Sequence, residues 1–314
     1  MNKKPEIIFF ILTVFPLYFI GQVITLSSTI TDIKGEPLQL SNIMTLNNSF
    51  GTTSDENGYF EITIPDSLKY DTLVVSYVGY YSKYICISDL KDKIILKPQV
   101  FQLPEVYIKT GNVKSSNPLF INKFKKKKCF LRYTKYDSVN NNLWVPFRPN
   151  EPAIEAISFP DNSKDYKGKK LKEVRVYLTA FKTPATFRLR IYSADKKMEP
   201  GPDLLKIPLT ADVVKNNSLI TINLEKYNLI FPENGIFVGV ELLIIMKNKT
   251  TLNKDGNEYT VYSPFLNFIN TYEKGRFWQY SEGKWTQNNS TAPVFTKGKR
   301  VSYYKPAITL VLDE

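Results

Sequence analysis

Histidine is absent from all 314 residues. Without an imidazole the chain cannot build the usual serine or cysteine triad, nor the histidine-dependent catalytic zinc sites. Cysteine is nearly absent as well, with only Cys86 and Cys129 present, so the chain is not a disulfide-stapled scaffold. The two stand 43 positions apart; oxidation could join them, though sequence gives no geometry for the bond. The alternative for Cys86, within "YICI", is a small buried hydrophobe. No capped stretch keeps a 3.6-residue apolar period long enough to compel a helix.

What is present is charge and β-forming sequence. Lysine and arginine number 42 against 30 acidic residues, a formal charge of +12. The amino terminus, "MNKKPEIIFFILTVFPLYFIGQVITLSS", places Lys3 and Lys4 ahead of an uncharged, mostly apolar run over residues 7–20. That run is shorter than the roughly 20 residues of a membrane span and suits the apolar region of a signal peptide. Residues 1–22 are therefore expected to be a leader and the chain to be exported. An uncleaved anchor is the alternative, and the exit near Gly21 lacks an A-x-A cleavage pattern.

From residue 23 the chain favours strands. "VITLSSTI", "YFEITI", "TLVVSYVGY" and "KIILKP" are rich in β-branched and aromatic residues and end at Gly, Pro, Asp or Asn. An all-β module is expected over 23–108. Within it, "GTTSDENGYFEITIP" at 51–65 clusters Asp55, Glu56 and Asn57 ahead of Gly58. A calcium site needs more converging oxygens than this stretch supplies. An Asx-turn at Asp55, with Gly58 at positive φ, explains the same residues as the connection of a hairpin with arms at 50–53 and 59–64. Gly35 and Pro37 read as a second strand-linking turn, and Gly79 falls in a tyrosine-rich segment, "SYVGYYSKY".

Three ordered blocks, "ITDIKGEPLQLSNI", "GTTSDENGYFEITIP" and "LVVSYVGY", resemble the carboxypeptidase-regulatory-like domain. This is a transthyretin-like β-sandwich repeated in exported and outer-membrane proteins of the Bacteroidetes group. The resemblance implies an accessory, non-catalytic module found beside enzymes or at the front of outer-membrane receptors. This chain is too short for the receptor's barrel, and without histidine it cannot carry the family peptidase's zinc site.

Residues 109–150 read as a basic linker or transition region. From 109 to 135 there are nine basic and no acidic side chains, and Lys125, Lys126, Lys127 and Lys128 form the one conspicuous run. Their partners, if any, are an anionic envelope surface or an acidic protein. Flanking rings at Phe124, Phe130 and Tyr133 also suit nucleic acid. Export and the lack of a nucleic-acid module make nucleic acid an unlikely partner.

A second β domain is expected over 151–314, from strands such as "AIEAISF", "EVRVYLTA", "TFRLRIYS" and "GIFVGVELLII". Alternation in "FRLRIY" puts Arg188 and Arg190 on one face, expected to be wet, opposite Leu189 and Ile191. "RIYSADKKMEPGPDLLKIPL", "ITINLEKYNLIFPENGIFVGVEL" and "GRFWQYSEGKW" resemble the carbohydrate-binding-like jelly rolls of secreted Bacteroidetes proteins. The fold class expected is thus all-β: a transthyretin-like β-sandwich followed by a jelly-roll-like β-sandwich.

Recognition, if the rings are exposed, falls to Phe277, Trp278, Tyr280 and Trp285; a hairpin with core-facing rings explains the same residues. Glu241 and Glu273 are the carboxylates a polysaccharide hydrolase would need, but sequence separation says nothing of their spacing, and both read as surface residues. The expected function is an exported, non-enzymatic binding or scaffolding protein of the cell envelope. It needs no cofactor or metal, and its partner is an envelope or outer-membrane protein. The alternatives are a glycan-binding module and a carboxylate-based hydrolase.

Overall fold

In the stretch Tyr59–Pro65 every second residue is buried: Phe60, Ile62 and Ile64 face inward while Tyr59, Glu61 and Thr63 face water. A strand with one apolar face needs a second layer to cover it, and the chain builds two such sandwiches. The structure, a computed structural model, describes residues 22–46, 50–99, 118–131, 134–138, 141–145, 153–160, 166–254, 257–281, 284–289 and 303–313. The expected leader therefore lies outside the described residues, apart from Gln22.

The first unit contains β1 (Val23–Thr31), β2 (Asn42–Thr45), β3 (Gly51–Thr53), β4 (Tyr59–Pro65), β5 (Thr72–Ser76), β6 (Lys83–Cys86) and β7 (Lys93–Ile95). One sheet runs β4-β1-β7 and the other β3-β2-β5-β6. Ile30, Phe60 and Ile64 from the first meet Ile43, Leu73 and Val75 from the second. The expected hairpin over 50–64 is corrected here. β3 and β4 lie in different sheets, and β4 pairs instead with β1, Tyr59 opposite Thr29. "SDENG" is a corner that carries the chain from one layer to the other.

The second unit begins with β8 (Leu119–Ile121), β9 (Phe130–Leu131), β10 (Thr134–Ser138), β11 (Asn141–Val145), β12 (Ala153–Phe159), β13 (Leu171–Thr179) and β14 (Ala185–Ala194). It continues through β15 (Pro200–Asp203), β16 (Leu209–Val213), β17 (Ser218–Asn223), β18 (Ile236–Leu242), β19 (Lys249–Lys254), β20 (Asn257–Tyr262) and β21 (Phe265–Thr271). It ends with β22 (Phe277–Ser281), β23 (Lys284–Asn288), β24 (Tyr303–Pro306) and β25 (Ile308–Leu312). One sheet runs β15-β14-β18-β12-β22-β23, with β16 also on β14. The other runs β24-β21-β13-β25-β8, with β17 on β13 and β9 on β21. Between them lies the larger core, including Phe159, Val174, Val176, Phe187, Leu189, Val238 and Leu310. Part of the basic stretch belongs to this sandwich: Leu119–Ile121 pairs with β25 and Phe130–Leu131 with β21.

The two units share a dry seam. Met44 and Val74 point away from the first unit's core residues Ile43, Leu73 and Val75, yet both are buried. Val78, in the loop after β5, packs into the second unit's core. A Cβ added to Gly79 would stand 2.7 Å from the Lys206 carbonyl oxygen, so the glycine permits backbone to meet backbone there.

Candidate functional site

Three turns share one construction. Asp55 Oδ1 accepts from the N–H groups of Asn57 and Tyr59, both at 2.9 Å. Asp32 Oδ1 does the same for Lys34 and Glu36, at 2.7 and 2.9 Å, and Asp195 for Lys197 and Glu199, at 2.8 and 2.9 Å. The fourth residue of each turn has positive φ: Gly35 at 88°, Gly58 at 73° and Met198 at 61°. Asp55 Oδ1 is thus engaged by backbone. Pro37 follows the first turn and bridges Thr31.

The seam centres on charge. Arg188 and Arg190 share a face of β14, as alternation requires, but that face is not wet: Arg188 is 1% exposed and its partner Glu241 0%. The first unit has docked on it. Arg188 Nη1 lies 3.2 Å from Glu241 Oε2, Arg188 Nη2 donates to the Leu40 carbonyl, and Asn42 Nδ2 donates to Glu241 Oε1. Ile244 N–H adds a 3.3 Å bond to Thr53 Oγ1. Arg190 Nε donates to Tyr192 Oη at 2.9 Å and stands 2.9 Å from Asp203 Oδ2, off the line of a hydrogen bond.

The cluster tunes its members unequally. Burial works to raise the Glu241 carboxyl, but Arg188 and Arg190, with hydrogen bonds from Asn42 and Arg188, hold it below the usual range. Burial pushes Asp203 up to about 6, against the pull of Arg190. Burial alone would lower Arg190; the neighbouring Tyr192, Glu241 and Asp203 reverse this and raise it.

Glu241 is thereby corrected from surface residue to the centre of a junction. Glu273 sits elsewhere, beside Lys305 Nζ at 2.9 Å and Arg276 Nη1 at 3.6 Å. Burial tends to raise its carboxyl too, and the hydrogen bond and charge of Lys305, with the charge of Arg276, leave it below the ordinary range. The two carboxylates serve different sets of cations, and neither has the raised affinity for protons expected of a general acid.

The four candidate recognition rings part company because β22 alternates. Phe277 faces the core, packing edge-on against Phe268 at 5.0 Å between centroids; it is fully buried and is corrected from recognition residue to core residue. Trp278 points to the outer face and is mostly covered, with Phe237 edge-on at 5.5 Å. Tyr280 and Trp285, paired across β22 and β23, are half-buried, and Trp285 also meets Tyr192 edge-on at 5.2 Å. Gly239 and Ala156 lie opposite each other beneath these rings. A Cβ on Gly239 would come within 2.7 Å of Ile154 Cγ2, so the floor admits no larger residue without movement. In the first unit's tyrosine-rich segment, Tyr77 and Tyr80 pack edge-on at 5.3 Å, whereas Tyr81 and Tyr84 are exposed.

Two cavities flank Arg276, one of about 340 Å³ bordered by Ser158, Trp278 and Gln287, the other of about 260 Å³ bordered by Tyr166 and Lys305. Glu273, Arg276 and Pro160 line both. Arg276, in the loop before β22, and Lys305, a lone lysine in β24, gave no sequence signal for this site. Lys125 to Lys128 are exposed around a single 3-10 turn. Cys86 and Cys129 are free thiols in different units, both half-buried, with Cys86 Sγ 3.1 Å from Ser88 Oγ. No group of three metal-ligating side chains occurs among the described residues.

Fold and seam together define an essentially all-β, two-sandwich protein whose buried charges brace one unit against the other. Residues 26–108, a range that takes in the first unit from Leu26 onward, match the model of the CarboxypepD_reg-like domain family, which points to a non-catalytic, accessory role for that unit. No such support attaches to the jelly-roll resemblance of the second unit. No curated protein matches the chain.

Proposed function

We propose that the protein is an exported, non-enzymatic binding or scaffolding component of the bacterial outer membrane or cell envelope. In this reading a transthyretin-like accessory module is held against a jelly-roll-like recognition module, as one partner in a larger envelope assembly. The observation that carries it is the Arg188–Glu241 junction. It spends the second unit's central carboxylate on holding the first unit in place, and it leaves Tyr84 exposed and Tyr280 and Trp285 half-open around the seam. Aromatic side chains with a polar edge on a fixed surface are the usual anchors of protein recognition. Exposed Lys125 to Lys128 supply a screened, long-range attraction to an acidic envelope surface.

The test is capture by purified envelopes, using the leader-free chain across a salt series, with identification of copurifying proteins. Trp285→Ala combined with Tyr84→Ala is expected to reduce capture at all salt concentrations; losing the Trp285 ring from Tyr192 and Tyr280 lowers the melting transition, and a single cooperative transition above the assay temperature shows that the variant is still folded. Replacing Lys125 to Lys128 with Gln is expected to weaken only the low-salt component, since the Debye length falls from about 10 Å at 0.1 M to about 3 Å at 1 M. Turnover of a defined polysaccharide, lost on replacing one carboxylate, would overturn the reading in favour of a hydrolase.

A glycan-binding role is the second reading, favoured by Trp278, Gln287 and Ser158 around the larger cavity. Rings and polar side chains in one concavity match the two-sided surface of a sugar.

A further inference from the structure

Arg276 is a guanidinium with too few acceptors. Its side chain is 16% exposed and carries five N–H donors, yet among the described residues its Nε has no partner. Among the described residues the nearest carboxylate oxygen, Glu273 Oε2, stands 3.6 Å from Nη1, beyond hydrogen-bond length. Lys305, 11% exposed, gives one hydrogen bond to the same oxygen at 2.9 Å. Withdrawing such donors from water without acceptors is costly, and native structures almost always supply a protein, water or ligand partner. Among the described residues lining the paired cavities, Lys274, Arg276 and Lys305 carry three positive charges against one negative charge, that of Glu273. An open, positively charged concavity with surplus donors is complementary to an anion.

We infer that the paired cavities around Arg276 form a binding site for an anionic sugar residue, its carboxylate or sulfate taken by Arg276 and Lys305. Ser158, Trp278 and Gln287 on the neighbouring wall would meet its hydroxyls and ring. This rests on the glycan-binding reading above and adds the ligand's charge. A guanidinium engages a carboxylate or sulfate through two parallel N–H bonds, a fit that a neutral sugar lacks. Glu273 holds Lys305 from one side and so fixes the ammonium at the cavity wall.

The experiment is calorimetric titration of the leader-free chain with three oligosaccharides of matched length: an oligogalacturonate, a sulfated oligodextran and an uncharged oligodextran. Binding is expected for at least one acidic chain and not for the uncharged one; whichever acidic chain binds more tightly names the anionic group. Arg276→Gln should weaken that binding at least tenfold, and Arg276→Lys, which keeps the charge but loses the fork, should fall between. Lys305→Met serves as a second variant should Arg276→Gln fail to fold. Equal affinity for charged and uncharged chains, no binding of any of them, or acidic binding unchanged in Arg276→Gln and Lys305→Met would overturn the inference. Envelope capture by the same samples separates the two proposals, because capture persisting without acidic-sugar binding removes only the sugar site.

Discussion

Arg188 and Glu241 face each other across neighbouring strands, Nη1 3.2 Å from Oε2, and are sealed from solvent by a different domain from the one that carries them. Removing one partner of such a pair leaves the other charged and dry, which costs about 3–5 kcal/mol. Glu241→Ala is expected to lose stability of that order in urea unfolding. The double replacement Arg188→Met with Glu241→Leu should lose much less than the sum of its parts, because it leaves no orphaned charge between these two positions. Additive losses would mean that the pair does not interact as its geometry indicates.

Gly79 and Gly168 separate two costs of substitution. Both have φ near 80°, but a Cβ on Gly168 meets nothing among the described residues within 4 Å, whereas one on Gly79 meets the Lys206 carbonyl oxygen at 2.7 Å. Gly168→Ala should cost roughly 1–2 kcal/mol from backbone conformation alone. Gly79→Ala should cost a further ~1–3 kcal/mol, because the second unit must give way. Proteolysis at the seam should accelerate in the Gly79 variant only; equal effects of the two substitutions would contradict the close approach.

Met198 holds the position that glycine takes in the two sister turns, at φ 61°. Its side chain is 41% exposed, so little burial is lost on removing it. The left-handed conformation costs a side-chain-bearing residue roughly 1–2 kcal/mol, and glycine's extra freedom when unfolded returns about 0.5–1 of that. Met198→Gly should therefore raise stability by about 0.5–1 kcal/mol, read as a higher urea midpoint at constant slope. Asp195→Ala, which strips the turn of its two N–H acceptor bonds, should lower it.

Asp203 gives stability an unusual pH dependence. Burial lifts its carboxyl from 3.8 to about 6, so between these values the folded chain binds the proton more tightly than the unfolded chain. Its contribution to stability must then fall as pH rises through this window and level off above it. Glu241 and Glu273 act oppositely: their carboxyls are lowered from 4.5, and the stability they supply is lost as pH falls below it. Asp203→Asn should remove the decline between pH 3.8 and about 6, with Leu205 N–H still finding an acceptor where Asp203 Oδ1 now stands at 2.8 Å. Parallel stability–pH curves for the two proteins would refute the assignment.

Sequence by itself determined the strands and the local turns. β-branched and aromatic runs placed β12 and β14 to within a residue and carried β18 three residues past its end at Leu242, because side-chain alternation is a local property of the pleat but the apolar run continues beyond the paired residues. "DENG" announced its turn because an aspartate oxygen and a glycine φ act within five residues; "DKKM" hides the same turn, since methionine does not advertise positive φ.

Tertiary structure decided everything that depends on what lies across a face. Alternation put Arg188 and Arg190 together, but water and a docked domain leave the same pattern in the chain, and only the approach of Leu40 and Asn42 made that face dry. Alternation likewise set Phe277 and Trp278 on opposite sides without saying which side was core. "SDENG" looked like a hairpin because a turn's chemistry is the same whether its arms pair with each other or leave for different sheets. The Arg276 cavities had no signature at all, for Pro160, Glu273, Arg276 and Lys305 come from segments up to 145 positions apart and meet only when the strands that carry them are packed.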